Sequence, residues 1–399
     1  MSHVNVGAGL ADPSISRELL EYSQRGLRRD MVPRDPSGQG LVRIRGRDLL
    51  DFSSNDYLGL SRHQALREGA AQALENYGAG AGASRLMSGD LTLHHELEGA
   101  LSRHFGGLSV LLFGCGYLAN IGIIPALCSS RDLVLADRYV HASMIDGILL
   151  SRASFHRFRH NDVGHLEDLL SARRGRYRRT LVVVESLYSM DGDCAPLAEI
   201  IETSKRHGAM LLVDEAHAVG VLGPQGRGLV PPSLAKDVDV MVGTFGKAFG
   251  GYGAFAVTNK EMKAFLVNRA RSFIFSTALP PAVLGADLAS VQLMETLDEP
   301  RMHVAYIAQL LRSSLRERSF SVIGDTHIVP VIVGDVQKAL DLSSHLEHEG
   351  FFARSVRPPT VPKGTARIRF SITADHREED IQRLIRAMEH VNTASILGL

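Results

Sequence analysis

Six short runs of almost purely apolar residues recur between residues 109 and 258. They are "SVLLF" (109–113), "LVLAD" (133–137), "TLVVVES" (180–186), "AMLLVDE" (209–215), "VDVMVGT" (238–244) and "GAFAVT" (253–258). Each is too short for a buried helix, and segments with helical periodicity separate them. A strand without polar alternation has no face to give to water. Such strands belong to a mostly parallel sheet covered by helices on both sides. The fold class is therefore α/β. At 399 residues the chain exceeds the size at which one core stops growing, so more than one unit is expected. Residues 1–55 read as an N-terminal helix over 15–30 followed by short strands. Residues 56–297 read as the large α/β domain, closed by a bridging helix, "PPAVLGADLASVQLMETL". Residues 298–399 read as a smaller α+β domain: helix, strand "HIVPVIVG", helix, strands "FFARSV" and "ARIRFSIT" in an antiparallel sheet, and a last helix "REEDIQRLIRAMEHV".

Composition excludes several classes of partner. Lys+Arg and Asp+Glu are equal at 44 each, so no charge excess suggests nucleic acid or an anionic membrane. The densest basic run, "RRGRYRR" at 173–179, reads as a solvated connection ahead of a strand. No apolar run approaches the ~20 residues of a membrane span. The first residues, "MSHVNVGAGLADPS", lack the basic-then-apolar pattern of a secretory signal. Cys115, Cys128 and Cys194 form no CxxC pair or metal-ligand spacing, which points to a reducing, cytoplasmic setting and to no metal.

In open α/β sheets ligands bind beyond the carboxyl ends of the strands. Five of the runs end in polar or glycine residues: Gly114-Cys115-Gly116-Tyr117, Arg138-Tyr139-Val140-His141, "LYSMDGD", Asp214-Glu215-Ala216-His217, and Thr244-Phe245-Gly246-Lys247. Alone, Asp214 could cap a helix, either histidine could be a satisfied polar group, and Lys247 could lie in water. Together they suggest one site. A lysine in an apolar, water-poor pocket loses basicity and becomes a nucleophile toward carbonyls. Its most economical partner is pyridoxal 5′-phosphate. That group needs an acid at its ring nitrogen, for which Asp214 serves, and N–H groups at a helix start for its phosphate, which "GCGYLAN" offers. It also needs a flat surface for its ring, either His141 or Tyr117. His217 would reach the ring hydroxyl side.

These blocks, with "SSNDYLGL", "YSMDGD", "VGTFGKAFGGYGAF" and "RPPTVPKGTARIRFSITADH", resemble the α-oxoamine synthases, pyridoxal-phosphate enzymes of fold type I. The last block is most similar to the branch that condenses L-alanine with a pimeloyl group carried on coenzyme A or a carrier protein. The alternatives are a member using glycine and an acetyl donor, and a partner subunit without turnover. The resemblance implies that Lys247 carries the cofactor and shuttles the α-proton. It pairs Asp214 with the ring nitrogen, sets His217 and Ser189 at the ring oxygen, and stacks His141 on the ring. It places Gly116, Tyr117 and Thr244 near the phosphate and Asn55 near the substrate. It implies a homodimer with a shared site, in which Ser276 and Thr277 reach the neighbour's phosphate. Arg369 matches the arginine that holds the amino acid's carboxylate. Arg367, two residues away on the same strand face, and Arg357 are the other candidates. Ala218 stands where many members carry glycine or serine.

Overall fold

The computed structural model describes residues 12–173 and 175–393; the opening stretch to residue 11 and Arg174 of the basic run lie outside them. Among the described residues fourteen strands form three sheets. The first three are β1 (Asp35–Gly38), β2 (Leu41–Ile44) and β3 (Arg47–Asp51). The next seven are β4 (Ser109–Phe113), β5 (Leu133–Asp137), β6 (Ser154–Phe158), β7 (Thr180–Glu185), β8 (Met210–Asp214), β9 (Val240–Thr244) and β10 (Ala254–Thr258). The last four are β11 (Ile328–Gly334), β12 (Phe351–Phe352), β13 (Ser355–Val356) and β14 (Ala366–Ser371).

The central sheet has the order β4-β10-β9-β8-β7-β5-β6. The pairs among β5 to β9 are parallel, and β10 runs antiparallel to both β4 and β9. The carboxyl ends of β4, β5, β7, β8 and β9 therefore share one edge. Both faces are covered, as the all-apolar runs require. Val182 and Val184 of β7 join one core cluster, while Leu181 and Val183 join the other. Each such fully buried side chain contributes roughly 1.5–3 kcal/mol. The edge strand β6, "SFHRF", was not among the predicted runs. Only its last residue is buried, so it lacks the apolar signature of its neighbours.

Two other expectations change. The N-terminal helix spans Pro13–Gln24 rather than 15–30. Asp12 caps it through Ser14 N at 2.8 Å, and Gly26, at φ +63°, turns the chain back so that Leu27 N reaches Tyr22 O at 2.8 Å. The run "FFARSV" is not one strand. Its first two residues, β12, pair parallel with β3 in a four-stranded sheet β1-β2-β3-β12. Its last two, β13, pair antiparallel with β14, in the sheet β11-β14-β13.

Candidate active site

The five strand ends surround one cavity of about 220 Å³. Each contributes: Gly116 and Tyr117 after β4, His141 after β5, Glu185 closing β7, Asp214 and His217 from β8 onward, and Thr244 with Lys247 from β9. Asn120, Ser143, Ala216 and Gly246 complete its wall.

Lys247 stands on a turn whose flanking phenylalanines are anchored in the core. Phe245 and Phe249 are fully buried and pack edge-on against each other and against Phe255, with ring centroids 5.0–5.9 Å apart. Burial pulls the lysine down to about 8, with Asp214 and then Glu185 opposing and Arg369 adding to the fall. Glu185 shows the converse. Burial, reinforced by the Asp214 charge, pushes its carboxyl up to about 8, and its Oε1 lacks a hydrogen-bond partner.

Asp214 is not a helix cap. Its Oδ2 accepts from Asn120 Nδ2 at 2.8 Å and its Oδ1 from Ala216 N at 2.9 Å. Asn120 also donates to Ser143 Oγ at 3.0 Å. It sits on the helix Gly116–Leu127, which crosses the helix Ala142–Ser151 at Gly147. A side chain at Gly147 would meet Asn120 O at 2.8 Å, so glycine permits the approach that brings Asn120 to Asp214. The helix Gly116–Leu127 begins without a side-chain cap, because the residue at its N-cap, Cys115, has no side-chain oxygen to accept from its first N–H groups. Its first N–H groups thus face the cavity without a side-chain acceptor.

His141 stands exposed at the mouth. Its Nδ1 accepts from Ser143 N at 3.2 Å, capping the helix that follows. Tyr117 is also half-exposed, and its hydroxyl bonds Asp146. Thr244 Oγ1 donates to Gly253 O at 2.8 Å and accepts from Gly246 N at 3.2 Å, fixing the turn that carries Lys247. His217 is buried, and its Nδ1 lies 2.7 Å from Tyr57 Oη. Burial, then the nearby Lys247 and Arg369 charges, holds it well below the usual histidine range.

Arg369 lies one layer behind the cavity wall. Its Nε donates to Ser189 O at 2.5 Å, and its Nη1 to Asn55 Oδ1 at 3.1 Å and Ser371 Oγ at 2.6 Å. Its Nη2 donates to Tyr57 Oη at 3.1 Å. Arg367, on the same face of β14, pairs instead with Asp191 at 2.8 Å and donates to Met190 O at 3.0 Å. Both arginines thus grip the loop that carries Ser189. Arg357 is elsewhere: its guanidinium holds the Gly26 and Arg28 carbonyls and does not line the cavity. Ser276 and Thr277 also stand apart from this chain's cavity, on the segment after the short helix Arg271–Ile274. Sequence reasoning missed Tyr57, Asn120, Ser143 and Glu185. Glu185 carried a signal, being a lone charge at the end of an apolar strand.

Residues 47–388 match the family described as aminotransferase class I and II. The 8-amino-7-oxononanoate synthase of Geobacter sulfurreducens is 45% identical over 95% of this chain and 97% of its own length. The same enzyme of Anaeromyxobacter sp. strain Fw109-5 is 47% identical over 94% and 95%. Among solved structures, serine palmitoyltransferase from S. paucimobilis with a bound PLP–myriocin aldimine superposes with a TM-score of 0.89. It is 32% identical and covers 97% of this chain and 98% of its own. The 8-amino-7-oxononanoate synthase of Francisella tularensis reaches 0.76 at 27% identity, covering 87% and 98%. The chain belongs to the class I and II aminotransferase family and, within it, to the α-oxoamine synthases.

Proposed function

We propose that this protein condenses L-alanine with a pimeloyl thioester, releasing carbon dioxide and a free thiol and forming 8-amino-7-oxononanoate for biotin. The observation that carries this reading is the meeting of Lys247, Asp214 and His217 in one cavity built from five strand ends. Relatives named for this reaction at 45–47% identity support it.

The residues fit pyridoxal 5′-phosphate. A helix start without a side-chain cap opens on the cavity, and an added Cβ at Gly116 would meet nothing within 4 Å, leaving room for a phosphate. A lysine amine and a fixed carboxylate line the same space. The bound group supplies a sink for the electron pair left when a proton leaves an amino acid's Cα. Asp214, held by Asn120 and the Ala216 amide, would keep a proton on the ring nitrogen. His217 and Ser189 would serve the ring oxygen, His141 would cover the ring face, and Thr244 would hold the phosphate side. Lys247 takes the α-proton from alanine and later returns one; its depressed basicity leaves a large neutral fraction near pH 8. Arg369 receives the alanine carboxylate, with Asn55 beside it. Four of its five N–H groups are engaged, so a two-pronged grip requires one present partner, such as Asn55 Oδ1, to give up its N–H.

A neighbouring cavity of about 620 Å³ shares His141 and carries Arg29, Arg138 and Arg157, which suits an anionic thioester on coenzyme A or a carrier protein. Exposed Tyr252 and Phe275 flank the segments of Lys247 and of Ser276 and Thr277. They support a homodimer in which Ser276 and Thr277 complete the neighbour's phosphate site. With three free cysteines and no helix among the described residues able to cross a membrane, we place the enzyme in the cytoplasm.

The test is product analysis by mass spectrometry with alanine or glycine and pimeloyl or acetyl thioesters. Alanine with the pimeloyl donor should dominate. A glycine and acetyl product would assign the chain to another member of the family, and no product from any pair would make it a silent partner subunit. Lys247→Ala should abolish turnover in a folded protein. Borohydride reduction of the wild type, followed by peptide mapping, should label Lys247; a label on another lysine refutes the site.

A further inference from the structure

We propose that Tyr57 is a positioning residue that holds His217 as the tautomer with hydrogen on Nε2, so that the histidine presents a donor to the cavity. The argument is a count of hydrogens. The Tyr57 ring is fully buried, and its hydroxyl has three polar neighbours: Arg369 Nη2 at 3.1 Å, Asn55 Oδ1 at 3.1 Å and His217 Nδ1 at 2.7 Å. A guanidinium can only donate, so Arg369 takes one of the hydroxyl's lone pairs. The single phenolic hydrogen then goes to Asn55 or to His217. Asn55 Oδ1 keeps a second lone pair beside the one it gives Arg369 Nη1, so distance decides: His217 Nδ1 at 2.7 Å is nearer to the hydroxyl than Asn55 Oδ1 at 3.1 Å. The donating guanidinium also polarises the phenol, making it a better donor toward the imidazole.

His217 cannot accept this bond and stay doubly protonated. Its burial and the charges of Lys247 and Arg369 keep it neutral, with His327 and His141 also facing it. One ring nitrogen therefore carries hydrogen, and with Nδ1 accepting, that nitrogen is Nε2, on the atom left to face the cavity. Tyr57 has little freedom to turn away. His327 packs edge-on against its ring with centroids 4.1 Å apart. The same hydroxyl thus joins the arginine assigned to the carboxylate to the histidine assigned to the ring oxygen, through residues 160 and 312 positions apart. The tautomer follows from this chain's own geometry; only what Nε2–H donates to rests on the proposed function.

The test uses full-length, cofactor-free protein with 15N in its histidine rings, with His217 assigned by subtracting the spectrum of His217→Asn. The wild type should show the Nε2–H pattern for His217, and Tyr57→Phe should lose the single-tautomer pattern. An Nδ1–H pattern in the wild type overturns the proposal even if the variant fails to fold, and so does an unchanged pattern in a folded Tyr57→Phe protein. With pyridoxal phosphate added, Tyr57→Phe should also shift the pH midpoint of the visible absorbance band. If His217→Asn leaves that band identical to wild type while the tautomer is as stated, the functional reading of the cavity fails and the role of Tyr57 stands.

Discussion

Glu185 is a carboxyl that the condensation does not call on, yet it sits in the cavity wall with Oε1 unpartnered. Its effect is on stability. Its folded-state value is raised from 4.5 to about 8, so across that window the folded chain keeps a proton that the unfolded chain has lost. Stability from this group therefore falls as pH rises through the window, at up to about 1.4 kcal/mol per pH unit. Glu185→Gln removes the dependence. In cofactor-free protein its melting temperature should gain on wild type as pH rises from about 5 to about 8, and a constant difference would contradict the burial argument. Arg369 and Arg367 offer a second test at this scale. Arg369→Lys keeps the charge but loses the planar fork, and should raise the alanine requirement by roughly two orders of magnitude while sparing thioester affinity. Arg367→Lys should perturb alanine far less, because its partners are Asp191 and Met190. Kinetics with the roles reversed would show that the wrong arginine was assigned. Lys247, Asp214 and His217 were legible because Asp214 ends an apolar strand and the other two lie within a few residues of such an end. Tyr57 was not, since nothing local records that its hydroxyl meets a histidine 160 positions on.

The helices Gly116–Leu127 and Ala142–Ser151 act as a pair, and their close crossing brings Asn120 to Asp214. An added methyl at Gly147 would stand 2.8 Å from Asn120 O and 3.2 Å from Ile124 Cβ. Gly147→Ala should therefore push the helices apart, costing about 1–3 kcal/mol, and loosen the Asn120 bond to Asp214. Melting temperature and retention of pyridoxal phosphate on dialysis should fall together. Lower stability with full cofactor retention would show that Asn120 tolerates the shift. At this scale the parallel strands were readable because both faces are apolar. The edge strand β6 was not, because one side of an edge needs no covering. The two-residue β12 is too short for any periodicity to show.

Three sheets divide the molecule, and one pairing only two residues long joins distant parts of the chain. β12 closes the sheet of β1, β2 and β3 across 300 residues, Phe351 lying opposite Leu50 and Phe352 opposite Asp51. Ser371 N and Ala374 N extend the same seam to Phe52 O and Tyr57 O, both at 2.8 Å. The segment that carries Asn55 and Tyr57 is therefore held by strands made much later. On a ribosome adding about 5–20 residues per second, the first strands would wait roughly 15–60 s for their partner. During that time they need shelter that the finished fold provides only at its end. Stalled nascent chains should report this directly. Chains halted with Gly350 as the last residue outside the exit tunnel should leave residues 35–57 open to protease, and chains extended past Ala374 should protect them. Protection already present at the shorter length would mean that the early strands find a cover other than β12.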